Sequence, residues 1–215
     1  MNRFDRPRQA LAVGLAALAG FVDAFGFLSA DGYFVSFMSG NTTRLGVNIA
    51  RDPALALVPA LLILGFVGGV TWGAVLAARS GARRKVVVLS LVSGLLFAAA
   101  FAREAGYGTA MLAALVLAMG ALNNTFQRDG EVAVGLTYMT GALVRLGQGI
   151  ASALLGRAGT GWAAYLLLWS GLALGAVAGA LAFLHMPASA PWIAAVWAGV
   201  MAIVARRLPT AEPHG

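Results

Sequence analysis

Residues 37–50 read FMSGNTTRLGVNIA, and residues 138–151 read YMTGALVRLGQGIA. The two align without gaps, with seven of fourteen positions identical and Phe37/Tyr138 and Ser39/Thr140 conservatively matched. Gly, Ala and Leu match cheaply in apolar sequence, but the shared frame M-[ST]-G-x-x-x-R-L-G does not, so the pair reads as an internal duplication. The correspondence extends upstream, where Gly20 and Asp23 face Gly120 and Asn123 after a one-residue gap. Each copy is apolar at both ends and carries polar or glycine residues in its middle.

The surroundings are more apolar still. Of 215 residues, 60% are hydrophobic, only 11% are charged and 28 are glycine, whereas soluble domains carry about a quarter charged residues. Too few ionic groups remain to solvate a water-facing surface, so most of the chain must face lipid or other helices. That excludes a soluble enzyme. Six segments, 10–28, 54–78, 86–102, 107–126, 162–184 and 188–205, come near the ~20 apolar residues that a membrane helix needs. Asp52-Pro53, the run RSGARRK at 79–85, Arg103-Glu104, and Pro187 with Pro191 separate them. The first segment follows Arg3, Arg6 and Arg8 but lacks a small-residue cleavage site, so it reads as a retained helix, not a signal peptide.

The two duplicated stretches, taken as 33–50 and 133–155, either span or dip in and return, and charge placement separates these readings. With both re-entrant and the N-terminus cytoplasmic, eleven of the fifteen basic residues fall inside: Arg3, Arg6, Arg8, Arg79, Arg83, Arg84, Lys85, Arg128, Arg157, Arg206 and Arg207. Arg51 and Arg103 fall outside, and Arg44 and Arg145 lie within the membrane. This is the asymmetry that the positive-inside rule describes. Eight full crossings would instead put the N-terminal arginines and the 79–85 loop on opposite sides. The net charge of +7 therefore belongs to loops beside anionic lipid, not to a nucleic-acid face. The expected fold is an all-α polytopic membrane protein with six transmembrane helices and two re-entrant segments. Residues 1–104 and 105–215 form two three-helix repeats in one membrane domain, and three crossings per repeat require the halves to be inverted. Such repeats recur in transporters, with substrate near the midplane where broken helices meet.

The candidate pathway residues sit at these breaks. Ser39, Asn41, Thr42 and Thr43 are cap-type side chains ahead of a helical run, and a helix restarting there would aim unpaired N–H groups at the midplane, where anions or carbonyl oxygens are attracted. Thr140 is the plainer counterpart. Arg44 and Arg145 hold matched positions, and an arginine at this depth costs about 3 kcal/mol or more unless paired or hydrated. They read either as structural pins or as coordinating groups for an anionic or carbonyl-bearing solute. Asp23, inside the first helix, is either a structural partner of Arg44 or a coupling group that exchanges a proton. Asn123 and Asn124 suit interhelical hydrogen bonds or a solute site. Two glycine faces, Gly65, Gly68, Gly69 and Gly73 in one helix and Gly171, Gly175 and Gly179 in another, allow close helix approach, within the monomer or at a homodimer contact.

Zero cysteines exclude disulfides, thiolate metal sites and thiol redox chemistry. There is no H-x-x-x-H, Walker loop or G-x-S-x-G, so no enzyme, metal or cofactor is expected. At residues 20–46, GFVDAFGFLSADGYFVSFMSGNTTRLG, the chain resembles the YoaK-like family of bacterial membrane proteins (domain of unknown function 1275), with FVSFMSGNTTRLG its most specific phrase and TYMTGALVRLG matching further on. The resemblance implies a bacterial inner-membrane protein of about six helices, with no substrate attached. On its residues, the chain reads as a small-solute transporter or channel, with a non-transporting membrane interaction or assembly protein as the alternative.

Overall fold

The computed structural model describes residues 5–128, 131–132, 135–137, 139–156 and 161–208. Arg3, Tyr138, Arg157 and residues 209–215 lie outside them, as do the side chains of 127, 128, 131 and 132. Among the described residues, eight α-helices carry the fold: α1 (Arg6–Ser29), α2 (Met38–Arg51), α3 (Leu57–Ser80), α4 (Arg84–Glu104), α5 (Gly108–Leu122), α6 (Thr140–Leu154), α7 (Trp162–His185) and α8 (Ala190–Arg207). A two-residue antiparallel ladder, Gln127–Arg128 with Glu131–Val132, adds the one extended pairing that the all-α reading did not contain.

Local chemistry sets the helix ends. α1 begins four residues before the expected boundary because the Asp5 carboxylate accepts the Arg8 N–H at 3.1 Å and caps the first turn. Asp52 caps a 3₁₀ turn at Pro53–Ala56 by accepting from Ala54 N at 3.0 Å, and α3 follows. Gly81, at φ 49°, supplies the left-handed step that ends α3 before α4 starts. Four helical stretches, Arg6–Ser29, Pro53–Glu104, Gly108–Thr125 and Trp162–His185, are long and apolar enough to cross a membrane. The second of these, 52 residues long, contains both α3 and α4.

Burial sorts the helices into inner and outer. α1 and α5 are buried along most of their length. α3 and α7 flank them and turn large apolar side chains outward, Leu61, Leu64 and Val67 on one and Leu174, Val177 and Leu184 on the other. Apolar surface of this extent suits acyl chains and would drive association in water.

The glycine faces are used within the chain. A Cβ on Gly175 would press into the carbonyl of Ala17, and one on Gly179 into that of Phe21, so α7 lies backbone to backbone against α1. Gly69 meets the Leu117 carbonyl and Gly73 the Ala121 backbone in the same way, joining α3 to α5. In return, Gly20 abuts Leu172 and Ala176, and Gly120 abuts Phe66 and Val70. Each α1 position has its α5 counterpart one hundred residues on, and each α7 position its α3 counterpart 106 residues back. The two seams therefore repeat each other residue for residue. Both pairs run parallel, since contacts advance in the same direction along both helices. These faces are filled inside the monomer, the first of the two uses expected of them, and lend no support to a homodimer contact through them.

Helix directions follow from two ring contacts. Arg103 at the end of α4 lies 5.2 Å over the Phe25 ring near the end of α1. Lys85 at the start of α4 lies 5.5 Å over Phe126, just beyond α5. α1 thus runs with α4 and α5 runs against it.

Placing Cβ atoms in the seams tests their tightness. Gly175→Ala and Gly69→Ala should each destabilise the detergent-solubilised protein by about 1–3 kcal/mol, the cost of overpacking a close contact. Gly46→Ala and Gly147→Ala, where a Cβ meets nothing within 4 Å, should leave the melting temperature unchanged or raise it through helix propensity. Equal melting of all four variants would contradict the seams.

Candidate functional site

The first half's polar residues gather around a short non-helical strand. After α1 the chain reverses at Asp31 (φ 49°) and Gly32 (φ 85°), left-handed conformations that Asp and Gly tolerate. Tyr33 to Phe37 then runs back beside α1, with Val35 packed where Gly26 lacks a side chain. Asp23 Oδ1 accepts both Val35 N (3.0 Å) and Ser36 N (2.7 Å). Asn41, fully buried, accepts Phe34 N at 3.0 Å through Oδ1 and donates Nδ2 to the Phe34 carbonyl at 2.7 Å. Two side chains therefore satisfy three consecutive backbone N–H groups, each of which would cost about 1–3 kcal/mol if buried unpaired.

This arrangement moves the expected break. The irregular backbone lies at 33–37, and Ser39, Asn41, Thr42 and Thr43 lie within α2, which starts at Met38 without a side-chain cap. They are not caps, because Asn41 is engaged by Phe34 and the others point outward. Thr42 Oγ1 donates to the Met38 carbonyl (2.9 Å) and Thr43 Oγ1 to that of Ser39 (3.2 Å), both exposed, a common way for threonine to satisfy its hydroxyl on its own helix.

Arg44 reaches back toward the turn after α1. Its guanidinium sits 5.1 Å from the Tyr33 ring centroid, 5.8 Å from Phe27 and 6.0 Å from Phe34, a three-ring box that holds a cation by the ring quadrupoles. No ion pair joins it to Asp23, whose hydrogen-bonded oxygen is turned to the backbone, so the expected Asp23–Arg44 pair is not formed. Asn48 Nδ2 donates to the Tyr33 hydroxyl at 2.9 Å, bringing the later part of α2 back to where the strand began.

The second half repeats the pattern in neutral form. Asn123 Nδ2 donates to the Met119 carbonyl and to Thr137 Oγ1, both at 3.0 Å. Asn123 stands one hundred residues after Asp23, and Thr137 stands 101 after Ser36. Asn124 donates to the Val70 carbonyl of α3 at 3.0 Å, the interhelical bond expected of it. Arg145 lies 5.6 Å over the Tyr165 ring, its one ring contact among the described residues, and is exposed, as is Thr140. The structure thus brings Asp23 and Asn41 together, with Arg44 nearby, and Asn123 and Asn124 together at the end of α5. Ser36, Thr137, Tyr33, Phe27 and Phe34 belong to the site but escape sequence reasoning; of these, Ser36 and Thr137 have a signal, being matched hydroxyls in the repeat frame. Among the described residues no three His, Asp or Glu side chains cluster as metal ligands.

Comparison with known proteins places the chain. Residues 11–204 match the family described as "Protein of unknown function (DUF1275)". The UPF0700 transmembrane protein RA0705 of Rhizobium meliloti (strain 1021) is 35% identical over 201 residues, covering 93% of this chain and 87% of that protein. No solved structure matches significantly.

The roles of Asp23 and Asn41 can be separated by substitution. Asp23→Ala and Asn41→Ala should each lower stability by roughly 2–5 kcal/mol, two polar backbone groups losing their partner in each case. Asp23→Asn keeps the acceptor oxygen and should lose less than half of what Asp23→Ala loses in thermal melts. Equal loss for both would mean that the charge itself matters.

Proposed function

We propose, for a chain that belongs to the DUF1275 family of transmembrane proteins of unknown function, that it is a small-solute transporter or channel built from inverted repeats. In this reading α1, α3, α4, α5, α7 and α8 cross the bilayer, and α2 and α6 are re-entrant. The observation that carries it is the non-helical strand at 33–37, held to α1 by Asp23 and to α2 by Asn41 and followed by a helix of 14 residues. Such a helix is only about 21 Å long, against a hydrocarbon core of about 30 Å. Irregular backbone at membrane depth is tolerated where protein or a water-filled cavity covers it. The opposed directions of α1 and α5, and the duplicated glycine seams, support two halves of inverted orientation.

Arg44 and Arg145 are the coordinating groups in this proposal, since among the described residues neither forms an ion pair, Arg44 faces three aromatic rings and Arg145 one. A cation so held favours anionic or carbonyl-bearing solutes. No enzymatic step is part of the proposal. The chain would lie in a bacterial inner membrane, with both termini in the cytoplasm beside the 79–85 loop. A non-transporting interaction or assembly protein is the second reading, favoured by one observation: Asp23, Asn41, Asn123 and Asn124 all find partners within the chain.

The topology is tested by Asp31→Cys and Arg51→Cys in this cysteine-free chain. Both should react with an impermeant maleimide from the outside face of oriented vesicles; reaction from opposite faces would refute the re-entrant α2. Flux into liposomes of small anions, amino acids and weak acids tests the activity. Arg44→Ala should reduce the flux of the transported solute at least about ten-fold, the weight of a lost charged contact of about 1.4 kcal/mol or more, while the variant still folds.

A further inference from the structure

A second candidate site lies along α4 and α8, away from the residues discussed so far. These helices pack antiparallel: the Ser93 hydroxyl donates to the Ala195 carbonyl at 2.9 Å, and Phe97 and Phe101 meet Trp192 edge-on. The register brings the start of α4 beside the end of α8. Between them opens a groove of about 470 Å³, lined among others by Val86, Ser90, Gly94 and Phe97 of α4 and by Ile203 and Arg206 of α8. Gly94 hollows its wall, since a Cβ there would meet nothing within 4 Å.

Length and charge identify the occupant. From Val86 to Phe97 the groove follows α4 for about 16 Å, close to half of the ~30 Å hydrocarbon core, which is the depth of one leaflet. Its wall is mostly hydrocarbon, broken by Ser90 and Ser93, and Arg206 lines its cationic end, with exposed Arg207 next in the chain and exposed Arg83 in the turn before α4. Basic pockets between membrane helices at a membrane face are suited to anionic headgroups. The groove at the other end of α8, lined by Ser189, Trp192, Ile193, Val196 and Trp197, has no cation, and the nearby Glu104 carboxylate accepts from Trp192 Nε1 at 2.9 Å. The contrast assigns the preference to one leaflet.

We propose that the α4–α8 groove binds one anionic phospholipid, with an acyl chain laid between Val86 and Phe97 and the phosphate held at Arg206 and Arg207. The site rests on the proposed placement of α4 and α8 in the bilayer and does not depend on solute transport.

The test is thermal melting of the full-length protein in a neutral detergent, each form compared with its own lipid-free melt. Phosphatidylglycerol should raise the melting temperature by roughly 5–10 °C near saturation, and phosphatidylcholine or inorganic phosphate by less than about a third of that. R206Q/R207Q removes the headgroup contact, and Gly94→Leu fills the groove from a position with free space. Each should lose most of the phosphatidylglycerol shift, whereas Ile193→Ala in the other groove should keep it. Equal shifts with phosphatidylcholine, an equal shift with phosphate alone, or a full phosphatidylglycerol shift in either variant would overturn the site.

Discussion

A backbone amide that leaves a helix inside an apolar medium must find an acceptor, and the first half of this protein is arranged around that requirement. Helices satisfy their own N–H groups, which is why spanning segments are helical. The strand after α1 does not, and three of its amides are met instead by one carboxylate and one carboxamide. Asp23 is fixed by the α1 helix and Asn41 by the first turn of α2, so strand, α1 and α2 form one hydrogen-bonded unit. Removing either side chain frees the strand from a rigid neighbour. What looks from composition like an ionisable pair in lipid is a substitute for a missing secondary structure.

The second requirement is close approach. Oil offers no hydrophobic gain to helices already dissolved in it, so association rests on packing and interhelical hydrogen bonds. The seams α1–α7 and α3–α5 use glycine to bring backbones together, and both cross from one half of the sequence to the other. α4 and α8 meet through a serine hydroxyl and edge-on aromatic rings. Every helix of one half thereby contacts a helix of the other or a core helix that does. The Asp23–Ser36 and Asn123–Thr137 contacts occupy matching places but differ in charge, and Asp23 accepts from two backbone amides where Asn123 donates to a side-chain hydroxyl.

Much of this is legible in the sequence, for physical reasons. Long apolar runs and their breakers mark the long helices, because lipid leaves no alternative for a stretch such as Leu57–Ser80. The M-[ST]-G-x-x-x-R-L-G frame and the glycines at 69, 73, 175 and 179 stand out because arginine is rare in apolar sequence and glycine marks close helix approach. The start of α2 is not legible: Ser39 and Asn41 have the chemistry of caps, yet helix formation begins before them, since the long-range bond from Asn41 to Phe34 takes precedence over local capping. The partner of Arg44 is misread for a similar reason. A nearby acid is the natural expectation for a cation in an apolar stretch, but which groups the chain reversal at Asp31 and Gly32 brings within reach is a tertiary outcome, and it supplies three rings.

The seam between Ala17 and Gly175 has a consequence for biosynthesis. These residues are 158 positions apart in the chain, and at about 5–20 residues per second a ribosome takes roughly 8–30 s to make the second after the first. For that interval α1 is in the membrane without α7, its Gly20 notch and bare carbonyls facing lipid or an insertase. α3 waits less, because α5 follows it closely. The order in which the helices emerge therefore differs from the order in which they are needed, and one of the two inner helices of the finished protein waits longest for its partner.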